Sequence, residues 1–174
     1  MKDSKGAMAI AQSELLGAAH RQPFLKSRTP TTLQKTAFLC HSHIDRRLAE
    51  GLQALLAEQG VALYIDWQDA LMPLVPNRET ASRIQQIIKS CDWFLFLATA
   101  NSMASRWCPW ELGYADGQKP LDRIAIVPTA DSTTTHGNEY IELYRRIDVS
   151  AARKLLWIPA GGSHGQFVRD IPFL

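Results

Sequence analysis

Residues 92–97 read Asp92-Trp93-Phe94-Leu95-Phe96-Leu97, apolar without interruption after the aspartate. A strand with one face in water alternates polar and apolar side chains, so an unbroken run marks a strand buried on both faces. Four other runs share this character: Ala37-Phe38-Leu39-Cys40, Val61-Ala62-Leu63-Tyr64-Ile65, Ile124-Ala125-Ile126-Val127 ending at Pro128, and Leu155-Leu156-Trp157-Ile158. Between them lie helical patterns. Residues 45–59 space Leu48, Leu52, Leu55 and Leu56 along one face, and Gly60 closes that helix. Asn77 caps a helix through 89 with Ile84, Ile87 and Ile88 inward. Further helices are predicted over 106–117 and from Asn138 to Arg146.

Strand and helix thus alternate about five times, which predicts an α/β fold: a doubly wound, five-stranded parallel sheet flanked by helices. Such sheets bind ligands outside the C-terminal ends of their strands. Segments 40–45, 66–77, 98–107 and 128–137 are therefore where function is expected. The first 35 residues stand apart as an N-terminal extension, a short helix over 8–19 and a polar linker bracketed by Pro23 and Pro30; residues 36–174 form the domain.

Composition excludes more than it assigns. Among 174 residues, 19 Lys+Arg against 17 Asp+Glu leave a net charge of +2, too balanced to call for nucleic acid or an acidic membrane. Cys40, Cys91 and Cys108 form no CxxC pair, so neither a disulfide framework nor a zinc knuckle is expected. With no membrane-length apolar run and no good signal peptide, a soluble, cytoplasmic protein is expected.

The loops hold the chemistry. His41 and His43 form a His-x-His at the first strand's end, readable as a metal pair or as a polar loop capped by Ser42 or Asp45. No GxGxxG or GxxxxGK[ST] occurs, which argues against hydride transfer on a Rossmann site and against a P-loop. In Ser105-Arg106-Trp107-Cys108-Pro109-Trp110-Glu111-Leu112, Pro109 restricts the helix start to Arg106–Cys108, because proline is tolerated only in the first turn. Trp107 and Glu111 then share roughly one face. A carboxylate beside an indole at the sheet rim is one reading. Two core tryptophans and a dipole-favoured glutamate is the other.

These residues resemble the Toll/interleukin-1 receptor (TIR) domain family. Phe38-Leu39-Cys40-His41-Ser42-His43 with Asp45 is similar to its opening box, Tyr64-Ile65-Asp66-Trp67-Gln68-Asp69 up to Pro76 to its second strand and BB loop, and Ser105 to Leu112 to its helix box. All three occur in family order over about residues 36–158. The chain departs from the family in carrying Pro76-Asn77 where Pro-Gly is common, and in lacking a recognisable third box.

The resemblance implies a flavodoxin-like fold and an NAD-consuming enzyme that cleaves the nicotinamide–ribose bond. NAD would be substrate, with no cofactor and no metal. It implies Glu111 as the catalytic carboxylate and Trp107 stacking on the base. His41, Ser42, His43 and Asp45 would contact ribose or phosphate, and Asp66, Trp67 and Asp69 would form a lid. It further implies homo-oligomers through the BB loop, a product signal sensed by an effector, and antiphage defence of the Thoeris type. The alternative is a non-catalytic scaffold acting by TIR–TIR association.

Overall fold

The computed structural model describes residues 6–21, 34–73 and 75–172. In chain order it contains β1 (Ile10–Ala11), α1 (Gln12–Arg21), β2 (Lys35–Cys40), α2 (Arg46–Ala57), β3 (Val61–Tyr64), α3 (Arg78–Ser90), β4 (Trp93–Ala98) and α4 (Ala100–Met103). There follow α5 (Cys108–Gln118), β5 (Ile124–Ala130), β6 (Thr135–His136), β7 (Arg145–Val149), β8 (Leu155–Ile158) and β9 (Gln166–Phe167). The sheet order is β3-β2-β4-β5-β7-β8-β9, with β1 and β6 also paired to β5.

β3, β2, β4, β5 and β7 run parallel. Taken in chain order, these five lie second, first, third, fourth, fifth, the flavodoxin-like order whose switch point falls between β2 and β4. β4 is buried at all six positions, as its unbroken apolar run requires. Its side chains divide between two cores. Trp93, Leu95 and Leu97 join Leu48, Leu52 and Leu56 of α2 on one face. Phe94 and Phe96 join Ile84 and Ile88 of α3, and Cys108, Leu112 and Ala115 of α5, on the other.

Four expectations need correction. The helix expected from Asn138 to Arg146 is a single 3-10 turn, Asn138–Tyr140, leading into β7. Ile147 and Val149 alternate into the core, and Arg146 Nε donates to Asp148 on the other face at 2.8 Å. This period-two burial overrides a local sequence that favours helix. Leu155–Ile158 is strand β8, but it pairs antiparallel with β7 and is not the fifth parallel strand. Residues 150–154 are too few for the crossover that parallel neighbours need. They form a tight return in which Ser150 N donates to Lys154 O, with Arg153 at φ 57°. In addition, β5 continues through Pro128 to Ala130. Pro128 is in register with Ala98 of β4, while pairing of β5 with β7 is confined to Ala125 and Ile126 and pairing with β1 begins at Thr129.

The N-terminal helix starts at Gln12, because Ile10 and Ala11 are a strand laid along β5. Ile10 and Leu15 are fully buried. α1 meets α2 backbone to backbone at Gly51, where an added Cβ would fall 1.9 Å from the Leu15 carbonyl oxygen. The linker bracketed by Pro23 and Pro30 lies outside the described residues.

Candidate active site

The C-terminal ends of β2 and β3 and the first turns of α3 and α5 surround a cavity of about 250 Å³. Its lining is Leu39, His41, Ser42, His43, Asp66, Pro76, Thr80, Ile84, Ser105, Trp107 and Glu111. Of the residues singled out by sequence, Glu111, Trp107, His41, Ser42, His43 and Asp66 are brought together here. Asp45, Trp67 and Asp69 stand outside this lining.

α5 supplies one wall. Pro109 occupies its first turn, and Glu111 N donates to Trp107 O at 2.9 Å, which closes that turn and stacks the two residues along one edge. Ser105 Oγ accepts from the backbone N–H of both Trp107 and Cys108, satisfying donors a helix start leaves open. Glu111 is only 7% exposed. Burial pushes its carboxyl well above the ordinary carboxylate range; a hydrogen bond from the Cys40 thiol pulls the other way without prevailing, while Cys108 and Asp66 add to the rise. Trp107 and Trp110 are 38% and 37% exposed, in edge-to-face contact at 5.5 Å between centroids. Neither is a core aromatic, which decides between the two readings of this helix: an open indole stands beside a buried carboxyl.

The loops after β2 and β3 supply the other wall. Buried His41 places Nδ1 3.2 Å from Leu39 O and accepts the Trp67 indole N–H on Nε2 at 3.1 Å. The proton therefore sits on Nδ1, and the ring is neutral. Burial lowers its pKa against the upward pull of Asp66. His43, two residues on and largely exposed, behaves oppositely. Its Nε2 donates to Asp66 Oδ2 at 2.8 Å, and this bond raises its pKa. Burial alone would raise the Asp66 carboxyl, but His43, His41 and the backbone N–H of Trp67 (2.7 Å) hold it below the usual range.

The residues outside the lining are structural ties. Asp45 accepts from Thr99 Oγ1 at 2.5 Å and Asn101 Nδ2 at 2.7 Å, locking the loop after β2 to the start of α4. Asp69 accepts from Tyr64 Oη and Arg83 Nε, both at 2.6 Å, and from Leu71 N at 2.9 Å, anchoring the loop after β3 to α3. Trp67 braces His41. Sequence reasoning gave no site role to Thr80, Ile84 or Ser105. The signal was present: Thr80 and Ile84 are four apart at the start of α3, the end that faces the strand termini. Among the described residues, no group of His, Cys, Asp and Glu could hold a metal ion. No helix among them is long and apolar enough to cross a membrane.

Sheet order and site together define a flavodoxin-like α/β domain with a buried carboxyl and an open indole beside its switch point. The chain belongs to the TIR domain family, which it matches over residues 37–156. It is similar to the probable 3' cyclic ADP-D-ribose synthase ThsB' of Bacillus cereus (strain MSX-D12), with 33% identity over 141 residues covering 76% of this chain and 71% of that protein.

Proposed function

We propose that this TIR domain cleaves the nicotinamide–ribose bond of NAD and closes the remaining ADP-ribose into a cyclic product, the activity that the name of its Bacillus relative describes. The observation that carries this reading is Glu111, a buried carboxyl on the wall of a cavity whose rim holds the exposed indole of Trp107. Nicotinamide bonded through its ring nitrogen is already cationic and departs as a neutral base, so no acid is needed. The ribose left behind is oxocarbenium-like in the transition state. Burial leaves the Glu111 charge poorly solvated. A positive charge arriving on nicotinamide, then on the ribose carbon, restores what water would have supplied, and most strongly where the cation is most developed. Trp107 offers a flat apolar face for the departing base.

A cavity of about 250 Å³ suits the nicotinamide riboside end of the substrate, with the rest of the dinucleotide running over the loops after β2 and β3. The biological setting we propose is the cytoplasm, in antiphage defence of the Thoeris type. There the cyclic nucleotide would signal to an effector, and the domain would act as an oligomer through the loop between β3 and α3. The deciding experiment is chromatography and mass spectrometry of the protein incubated with NAD. Nicotinamide and a cyclic ADP-ribose are expected, and Glu111→Gln should lower their formation by about 10²–10³-fold while the protein stays folded, with a thermal midpoint no lower than that of the wild type. Full turnover by Glu111→Gln removes the carboxylate mechanism. No turnover in any assembly state favours a non-catalytic scaffold.

A further inference from the structure

Cyclisation and nicotinamide release differ in one respect that the cavity walls reflect. Cleavage moves no proton. Ring closure through a ribose hydroxyl, the 3' linkage in the name of the Bacillus relative, does, because the attacking hydroxyl must lose its hydrogen. Glu111, set among apolar and thiol neighbours, serves the cation. The opposite wall holds a different unit. His43 Nε2 donates to Asp66 Oδ2 at 2.8 Å. A carboxylate accepts only, so this bond fixes the His43 proton on Nε2 and leaves the lone pair on Nδ1. No described residue hydrogen-bonds Nδ1, and the His43 side chain is 61% exposed on the cavity wall. Asp66 is itself held by the backbone N–H of Trp67 at 2.7 Å, and Trp67 by His41 at 3.1 Å. An imidazole with one nitrogen held by an oriented carboxylate and the other open to the site is the arrangement of a general base.

We propose that His43, oriented by Asp66, is the general base of ring closure. This inference rests on the reading of the cavity as an NAD-cleaving site. As the hydroxyl oxygen bonds to the cationic ribose carbon, its O–H bond breaks and the proton passes to His43 Nδ1. The resulting imidazolium stands against the Asp66 carboxylate until it releases the proton to water. NAD thus yields nicotinamide, cyclic ADP-ribose and one proton. The influences on His43 are Asp66, which favours its charged form by hydrogen bond and by charge, burial and Arg46, which oppose it, and Cys108, which favours it; His41, in contact with the same Asp66, is neutral. Their balance raises the His43 pKa above the ordinary imidazole value.

The experiment compares the full chain with His43→Ala, using two nucleophiles for the same cation. The ribose hydroxyl must lose a proton, whereas an added pyridine such as 3-acetylpyridine attacks through a lone pair and loses none. In His43→Ala, the ratio of cyclic product to pyridine-exchange product, measured on the same variant, should fall by about 10²-fold or more. Added imidazole should restore part of the cyclisation. The acid limb of the wild-type cyclisation profile, lying above pH 6.5, should vanish in His43→Ala. In Asp66→Asn it should move to lower pH. Equal loss of cyclisation and exchange, unchanged cyclisation, or an unmoved limb in Asp66→Asn would each overturn the assignment. Absence of nicotinamide release from the wild-type protein overturns instead the NAD-cleaving reading on which it rests.

Discussion

The two walls of the cavity each present a carboxyl, and they are built in opposite ways. Glu111 rides on α5, a helix whose start is set by Pro109, and it joins no ion pair among the described residues. Its carboxyl is pushed up by burial. Asp66 sits on a loop among His43, His41 and the Trp67 amide, and its carboxyl is held low. The helix gives a fixed position and few donors; the loops give donors. Carboxyls driven apart in acidity within one site take different roles, one answering a cation and the other steering a proton.

The contrast can be broken most severely at α5. Glu111→Asp keeps the charge but withdraws it by one methylene, and turnover of NAD should fall about 10²-fold, because a misplacement of about 1 Å costs that much. Steady-state kinetics would check this, and near-normal turnover would mean that position on the helix matters little. A middling effect is expected where the loop wall is tied down. Asp69→Ala orphans the Tyr64 hydroxyl and Arg83, and it should cost about 1–3 kcal/mol in denaturant unfolding.

The smallest effect should come from pH. His43 is raised in the folded state, so its contribution to stability is complete below the ordinary pKa and is lost as pH rises through the folded value. Asp66 is lowered, so its contribution is present above the ordinary carboxylate pKa and is lost as pH falls through the folded value. The pair therefore stabilises between about pH 4 and 7. Because His43 is exposed, the difference in unfolding free energy between wild type and His43→Ala should stay under about 1 kcal/mol. It should peak in that window and close as pH rises through the raised folded value of His43. Buried His41 should act in the opposite sense, losing stability as pH falls below about 6.5. A difference for His43→Ala that is constant across pH would mean that the Asp66 contact contributes packing alone.

What the sequence disclosed follows the strength of its local signals. The buried run at β4, the Asn77 cap of α3 and the proline at the start of α5 each have one physical reading, and each lies where it was expected. The alternation at Ile147 and Val149 was masked by Arg145 and Arg146 and by a helix-favouring run before them, so β7 was missed. At the site, residues adjacent in sequence had been grouped together. The structure separates them by burial: His41 and His43 face different partners, and Asp45 turns away to Thr99 and Asn101. Sequence spacing conveys which loop a residue occupies, but not which of its neighbours satisfies it.

The pairing of β1 with β5 has a consequence for how the chain is made. Gln12 Nε2 donates to Thr129 Oγ1 across 117 residues of sequence, and Ile10 pairs with Thr129 itself. During synthesis from the N-terminus, Ile10 and Ala11 have no partner strand until β5 has left the ribosome. β1 is thus among the last strands to find its place. Closing so long a loop delays completion of the sheet, and until then Ile10, buried in the finished fold, waits in water.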